Sequence, residues 1–222
     1  RDHGSVMHEK IKKMLADNAA LHIGEDIRRL HDENREEGVP TILTDGLNEL
    51  LLLAKIRQPK KILELGTAAG CSGIALLKAL PSAVLYTVEA REKSYLAAKE
   101  NFISYGVADR VKQFLGDARD VLCDINEKFD FVFLDCNKSK YKELYGKIKE
   151  IMSDGAVLFA DNVLFRGYIT EEVKVPHRFK TIQHNMTDFL VSITTDPDMI
   201  TTISDVGDGI SISYKKEKET SV

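Results

Sequence analysis

From Pro59 onward, short apolar runs alternate with longer stretches in which apolar residues recur every three or four positions. Runs at 62–65, 84–88, 111–115 and 131–134 are each followed by an amphipathic stretch, at 72–80, 93–105, 118–122 and 141–151, before a fifth run at 157–160. Apolar runs this short fit strands covered on both faces, and the intervening periodicity fits crossover helices, so the pattern predicts a parallel α/β sheet with five buried strands. Residues 162–175 read as a loop containing Gly167, followed by a helix near 177–193 and two β-rich runs at 199–204 and 210–214. The Gly207-Asp208-Gly209 break predicts that the last two runs form a hairpin closing one side of the sheet. Upstream, residues 9–37 carry Ile11, Met14, Leu15, Ile23, Ile27 and Leu30 at helical spacing, which predicts helices lying on another surface. Gly38 and Pro40 interrupt them, Thr44 and Asp45 offer N-cap oxygens, and a further helix runs through Leu47, Leu50, Leu51 and Ala54 to Arg57 before Pro59 ends it.

A chain of 222 residues fits one domain, with a helical part at 7–57 and a core at 58–215. Gly4-Ser5 ahead of Met7 makes 1–6 read as a cloning remnant. Hydrophobic residues at 43% and charged residues at 30% match an ordinary globular protein rather than a disordered or disulfide-rich one. A formal net charge of -4 excludes a uniformly basic nucleic-acid coat and confines any such contact to a local patch. Cys71, Cys123 and Cys136 are too few and too scattered for a disulfide framework or paired zinc spacing, which points to a reducing, cytoplasmic setting. No apolar stretch approaches the ~20 residues of a membrane span, so no membrane association is expected.

Ligands of open α/β sheets bind beyond the carboxyl ends of the strands, and candidate chemistry collects there. The first strand enters a small-residue turn, Glu64-Leu65-Gly66-Thr67-Ala68-Ala69-Gly70-Cys71-Ser72, that admits a ligand close to the backbone. Ala68 breaks the dinucleotide glycine spacing, which argues against a nicotinamide dehydrogenase. Glu89, ending the second strand, suits either ribose hydroxyls or a helix N-terminus. Asp117, in Gly116-Asp117-Ala118, suits either an adenine amino group or an N-cap. Taken together, these turns describe an adenosine site without a diphosphate. Asp135 ends the fourth strand and Asp161-Asn162 the fifth, a hard oxygen set suited to Mg²⁺ or Mn²⁺. Lys138 follows Asp135 by three residues, beside a cation whose charge favours the neutral amine of a general base; otherwise it is a solvated lysine.

These motifs resemble the class I S-adenosylmethionine (SAM) methyltransferases of the metal-dependent catechol and caffeoyl-CoA O-methyltransferase group, over residues 40–214. The resemblance implies a seven-stranded Rossmann-like sheet, mostly parallel with a C-terminal antiparallel hairpin, and N-terminal helices. It also implies that Ile42, Glu64, Gly66, Ser72, Glu89, Asp117, Ala118 and Asp135 hold SAM, that Asp135, Asp161 and Asn162 hold the metal, and that Asp135 and Lys138 are catalytic, with Lys138 taking the proton. Homodimers are implied too, with the N-terminal helices a candidate interface. Within the group, Asp161-Asn162-Val163-Leu164-Phe165-Arg166-Gly167, the 178–189 helix with Thr181, Ile182 and Met186, and Val206-Gly207-Asp208-Gly209-Ile210 are similar to the bacterial tRNA 5-hydroxyuridine methyltransferases. Cys71 stands where Tyr is frequent and Cys136-Asn137 where Ala-Ala is frequent, and neither change replaces a ligand. The chain has no Trp, so the indole contacts that frame adenine and catechol in the catechol enzyme have no counterpart.

In 5-hydroxyuridine the 5-hydroxyl and 4-carbonyl oxygens are neighbours that can share one cation, as two catechol hydroxyls do. The metal site therefore does not choose between a modified nucleoside and a small phenol. Residues 162–184 carry Arg166, Lys174, Arg178 and Lys180 against Glu171 and Glu172, with His177 and His184 in addition, in an acidic chain. Arg166, Arg178 and Lys180 form the candidate tRNA patch, with Lys138, Lys140 and Lys142 expected near the same face and a splayed anticodon base entering the pocket. A small phenolic substrate, or a noncatalytic RNA-binding role, is the alternative.

Overall fold

In the computed structural model, residues 24–170 and 173–218 are described, together with residues 10, 11, 13, 14 and 18. Residues 1–6, Met7, Leu15, Ile23, Glu171 and Glu172 lie outside the described residues. Strands β1 (Lys61–Leu65), β2 (Val84–Glu89), β3 (Val111–Leu115), β4 (Phe129–Leu134), β5 (Met152–Asp161), β6 (Met199–Ser204) and β7 (Ile210–Lys215) form one sheet in the order β3-β2-β1-β4-β5-β7-β6. The first five run parallel, and β7 is antiparallel to both β5 and β6, as the Gly-Asp-Gly hairpin requires.

Alternation along each strand divides its side chains between two layers. Ile62, Leu85, Phe131, Phe133, Val157 and Phe159 enter the layer covered by helices α1 (Glu25–Glu36), α2 (Thr44–Arg57), α3 (Cys71–Ala79) and α4 (Glu92–Ser104). Leu63, Leu65, Val88, Val132, Leu134, Leu158 and Ala160 enter the other, under α5 (Ala118–Asp124), α6 (Tyr141–Ile151) and α7 (Lys180–Thr195). Because Ile27, Leu30, Leu47 and Leu50 belong to the same cluster as the strand residues, α1 and α2 share the core of the sheet.

Three expectations are corrected. The third strand is not a buried one: β3 is an edge, only partly covered, with Leu115 48% exposed. Residues of a short apolar run show that a strand forms but not which neighbour it lacks. Thr44 and Asp45 do not cap α2, whose N-cap is Leu43 with no side-chain bond. Instead Asp45 accepts from the N–H of Gly46 at 2.9 Å and of Gly207 at 3.3 Å, tying α2 to the β6–β7 turn. The fifth strand extends back to Met152, beyond the apolar run, after a register shift against β4.

The strand order reverses between β1 and β4, so the chain leaves these two strands in opposite directions and opens a crevice at their carboxyl ends. No helix among the described residues is long and apolar enough to cross a membrane.

Candidate active site

The crevice holds a cleft of about 590 Å³, within the size of a small-molecule site. Its floor is the turn after β1. Gly66 has φ +107°, and a Cβ there would lie 2.3 Å from the carbonyl oxygen of Asp135, so only glycine lets this turn pass against the end of β4. Gly70, also left-handed at φ +85°, turns the chain into α3. Glu89 braces the turn and lines the cleft: its Oε2 accepts from the Ala68 N–H at 2.9 Å, and its Oε1 from the Arg91 N–H at 2.8 Å. Ile42 and Ser72 border a small recess beside Gly66 and Asp135.

Glu64 sits behind the turn rather than in the cleft. It is fully buried, and its two oxygens accept from the Ser72 and Thr87 hydroxyls, each at 2.5 Å. Thr87 lies 2.5 Å from the Thr67 hydroxyl, so the carboxylate fixes the backbone through side chains of β2 and α3. Burial pushes its carboxyl up to about 7, against the lowering effect of those hydroxyls. A raised folded-state pKa contributes stability that is fully present below the unfolded value and is lost as pH rises through 7. Between pH 5 and 8.5, the stability of the wild type relative to Glu64→Gln should therefore fall by up to about 3 kcal/mol, measured by denaturant unfolding. Parallel pH profiles for the two proteins would show that Glu64 is not the group responsible.

Asp117 and Ala118 line the opposite wall, and Asp117 is the N-cap of α5. Its carboxylate accepts from the Arg119 N–H at 3.0 Å and from the Arg119 guanidinium, and it pairs with Lys140 Nζ. The Arg119 guanidinium, then Lys140, hold this carboxyl well below the usual carboxylate range. The adenine and N-cap readings of Asp117 are thus joined by a third role, as the anchor of two cations. Lys140 lines the cleft and pairs with Asp117, and the exposed Lys142 donates from Nζ to Ser192 Oγ at 2.6 Å on α7.

At the switch point, the Asp135 N–H donates to Leu65 O at 2.9 Å, which carries the Asp135 carboxylate into the cleft beside Asn162. Lys138 Nζ meets Asp135 Oδ1 at 2.5 Å. Asp161 is 3% exposed, and its Oδ1 accepts from the Asn162 N–H at 2.7 Å. Burial, and next the charge of Asp135, push the Asp161 carboxyl up to about 7. Asn162 itself is left-handed, with φ +57°.

The segment beyond Asn162 is held by the β6–β7 turn. Val163 and Leu164 donate to the carbonyls of Gly209 and Asp208, and the Arg166 N–H donates to Asp208 Oδ1 at 2.6 Å. Phe165 and Arg166 take left-handed φ values of +45° and +59°, uncommon for such bulky residues. They bring together Phe165, Tyr168 and Phe179, whose ring centroids lie 5.5 to 5.7 Å apart. The Arg166 and Arg178 guanidinium carbons lie 5.7 and 4.7 Å from the Phe179 ring centre, and among the described residues neither guanidinium has a carboxylate within ion-pair distance. Lys180 is exposed on the first turn of α7.

Cleft residues that the motifs did not single out include Pro40, Thr41, Arg91 and Cys136. Burial pushes the half-buried Cys136 thiol up to about 12, which disfavours its thiolate. Pro40 and Thr41 arrive from the loop before α2, and nothing in their spacing distinguishes them from any other loop. All three cysteines are free thiols.

The O-methyltransferase family profile matches residues 22–216. A catechol O-methyltransferase from Niastella koreensis is 35% identical over 144 residues, covering 62% of this chain and 65% of that protein, so the chain aligns with slightly less than two thirds of the relative's length. A caffeoyl-CoA O-methyltransferase from Populus kitakamiensis is 26% identical over 171 residues, with 73% of each covered. The O-methyltransferase TomG of tomaymycin synthesis in Streptomyces achromogenes, solved in complex with SAM, superposes with a TM-score of 0.79 at 26% identity, covering 96% of this chain and all of TomG. A cleft at the β1/β4 switch point, on a sheet of this order and with this breadth of match, makes the chain a member of the O-methyltransferase family with the class I fold of a SAM-bound relative.

Proposed function

We propose that the chain transfers the methyl group of SAM to a hydroxyl that has a second oxygen beside it, with a divalent metal held by Asp135, Asp161 and Asn162. The donor chemistry fits such a metal: two carboxylates and an amide oxygen are hard ligands, and burial with the charge of Asp135 raises the Asp161 carboxyl even though Lys138 pairs with Asp135. Bound SAM supplies an electrophilic methyl, and a bound Mg²⁺ or Mn²⁺ supplies Lewis acidity to the oxygen pair. The chain's own part is placement and proton removal. The Gly66 turn admits the cofactor to the backbone, Glu89 offers its remaining lone pairs to ribose hydroxyls, and Ile42, Ser72, Asp117 and Ala118 frame the nucleoside. Lys138 Nζ pairs with Asp135 Oδ1 here, and it would receive the hydroxyl proton of the substrate as the neutral amine left once a cation takes its place on that carboxylate and its own proton passes to solvent.

The favoured substrate is 5-hydroxyuridine at the tRNA wobble position, giving 5-methoxyuridine. The observation that carries this reading is the pair of guanidiniums of Arg166 and Arg178 over the Phe179 ring, without an ion pair among the described residues, on the segment that leaves Asn162, where cations and aromatic faces suit single-stranded RNA. Charge reversal at Arg166 and Arg178 should weaken tRNA binding by 10-fold or more while SAM affinity stays within twofold, in filter-binding and calorimetry respectively. Unchanged tRNA affinity would remove the patch from the account. The relatives' names favour a second reading, methylation of a catechol-like or caffeoyl-CoA-like hydroxyl. Incubation with SAM and tRNA that is hydroxylated but unmethylated, against catechol and caffeoyl-CoA, separates them: turnover of the phenols alone assigns the small-molecule activity.

A homodimer and a cytoplasmic, reducing location complete the reading. Leu52 and Ile56 lie one turn apart on α2 and are 60% and 71% exposed, an apolar strip in the N-terminal helical part that suits a second copy. Sedimentation should give a dimer that Leu52→Glu with Ile56→Glu converts to monomer; a monomeric wild type contradicts this.

A further inference from the structure

Asp135 and Asp161 stand on neighbouring strands just where the β4–β5 ladder ends, its last pair being Leu134 with Ala160. The backbone carbonyls of Leu134 and Asp161, on residues 0% and 3% exposed, come together at this point, and each oxygen has two lone pairs and so room for a donor beyond any ladder bond. The first residue of α6 provides it. Tyr141 is completely buried, and its hydroxyl lies 2.9 Å from Leu134 O and 3.0 Å from Asp161 O, so one proton is shared between the two strand ends. Its ring packs edge-on against Phe189 of α7 at 5.3 Å, which fixes the hydroxyl in place, and Lys138 Nζ lies 5.5 Å from the ring centre.

We propose that Tyr141 is a positioning residue that sets the separation of the two strand ends carrying Asp135 and Asp161, and so the bite of the proposed metal site. The inference rests on the metal reading above. Groups that orient ligands from behind commonly change metal affinity about 10- to 100-fold when removed. The hydroxyl is completely buried and does not line the cleft, so it acts on the site through the two strand ends.

Tyr141→Phe keeps the ring against Phe189 and beneath Lys138 and removes only the shared proton. Tyr145→Phe is the control: it lies one turn along α6, packs on the same Phe189, and donates to Asp196 Oδ2 at 2.7 Å instead of to the β4 and β5 carbonyls. Mn²⁺ binding is measured by electron paramagnetic resonance on wild type, both variants and Asp161→Asn, with SAM affinity by calorimetry and methyl transfer against metal concentration. The expected result is Mn²⁺ affinity weakened about 10-fold in Tyr141→Phe and unchanged in Tyr145→Phe. SAM affinity should stay within twofold, and kcat should return at saturating metal. Equal Mn²⁺ affinity in wild type and Tyr141→Phe, or the same loss in both tyrosine variants, overturns the positioning role while leaving the metal site standing. Failure of the wild type to bind Mn²⁺, or binding unaffected by Asp161→Asn, overturns the metal reading itself and the positioning role with it.

Discussion

Asp161→Asn is expected to lower methyl transfer about 10³-fold, equivalent to about 4 kcal/mol of transition-state stabilisation. The amide keeps the size of the carboxylate and an oxygen that can still accept from the Asn162 N–H, so the turn at the end of β5 has reason to persist. What disappears is one of the two charges that make the strand ends attractive to a divalent cation. Because that charge is buried next to Asp135, its removal relieves repulsion in the metal-free protein, and the variant should unfold at the same denaturant concentration as the wild type or higher. SAM affinity should not move, because Asp161 is not among the residues proposed to hold SAM. This combination of lost transfer, retained cofactor binding and undiminished stability separates a lost ligand from a damaged fold. An earlier unfolding transition with weakened SAM binding would instead make Asp161 a structural residue.

Gly66→Ala should have the opposite signature, losing stability and cofactor binding together. The added methyl would meet the Asp135 carbonyl oxygen at 2.3 Å and its carbon at 2.7 Å, in a backbone conformation that alanine rarely adopts. Backbone atoms cannot rotate away as a side-chain tip can, so the β1 turn or the end of β4 must shift. A cost of about 3 kcal/mol or more is expected, in the range of overpacking added to left-handed strain. Since the turn and Asp135 form adjoining walls of the cleft, SAM binding should fall below detection in calorimetry. Gly106→Ala is the comparison: it has a similar sign of φ, at +66°, but nothing within 4 Å of the new methyl, so only the conformational cost of about 1 kcal/mol remains. Equal losses at the two positions would mean that the close approach to Asp135 is not what makes Gly66 necessary.

The contrast between these two substitutions reflects what the chain reveals on inspection. The strand and helix order was legible because apolar runs and helical periodicity are properties of consecutive residues. The hairpin was legible because Gly207 and Gly209, at φ +63° and +82°, mark the turn chemically. The edge position of β3 was not, since a run such as Val111–Leu115 contains no statement of which neighbour is missing. The same limit applies within the cleft. Asp135, Lys138 and Asn162 lie near one another as the strand-end argument expects, but Glu64 turns inward to Ser72 and Thr87, and Asp117 is held by Arg119 and Lys140. Apart from Asp117 with Arg119, two positions on, those pairings join residues 8 to 23 positions apart and depend on how helices settle on the sheet. Tyr141 follows the same logic: its position at the start of α6 is readable, whereas its bonds across the ends of β4 and β5 exist only once both layers are assembled.

The most direct measurement is the initial rate of methyl transfer by enzyme stripped of divalent ions with a chelator and then titrated with Mg²⁺, using hydroxylated tRNA and catechol as separate acceptors. The expected result is no transfer before titration, a saturable rise on adding the ion for at least one acceptor, and a flat response in Asp161→Asn. Transfer at full rate in the chelated enzyme, or an identical titration curve for Asp161→Asn, would contradict the assignment of the two strand-end carboxylates to a catalytic cation.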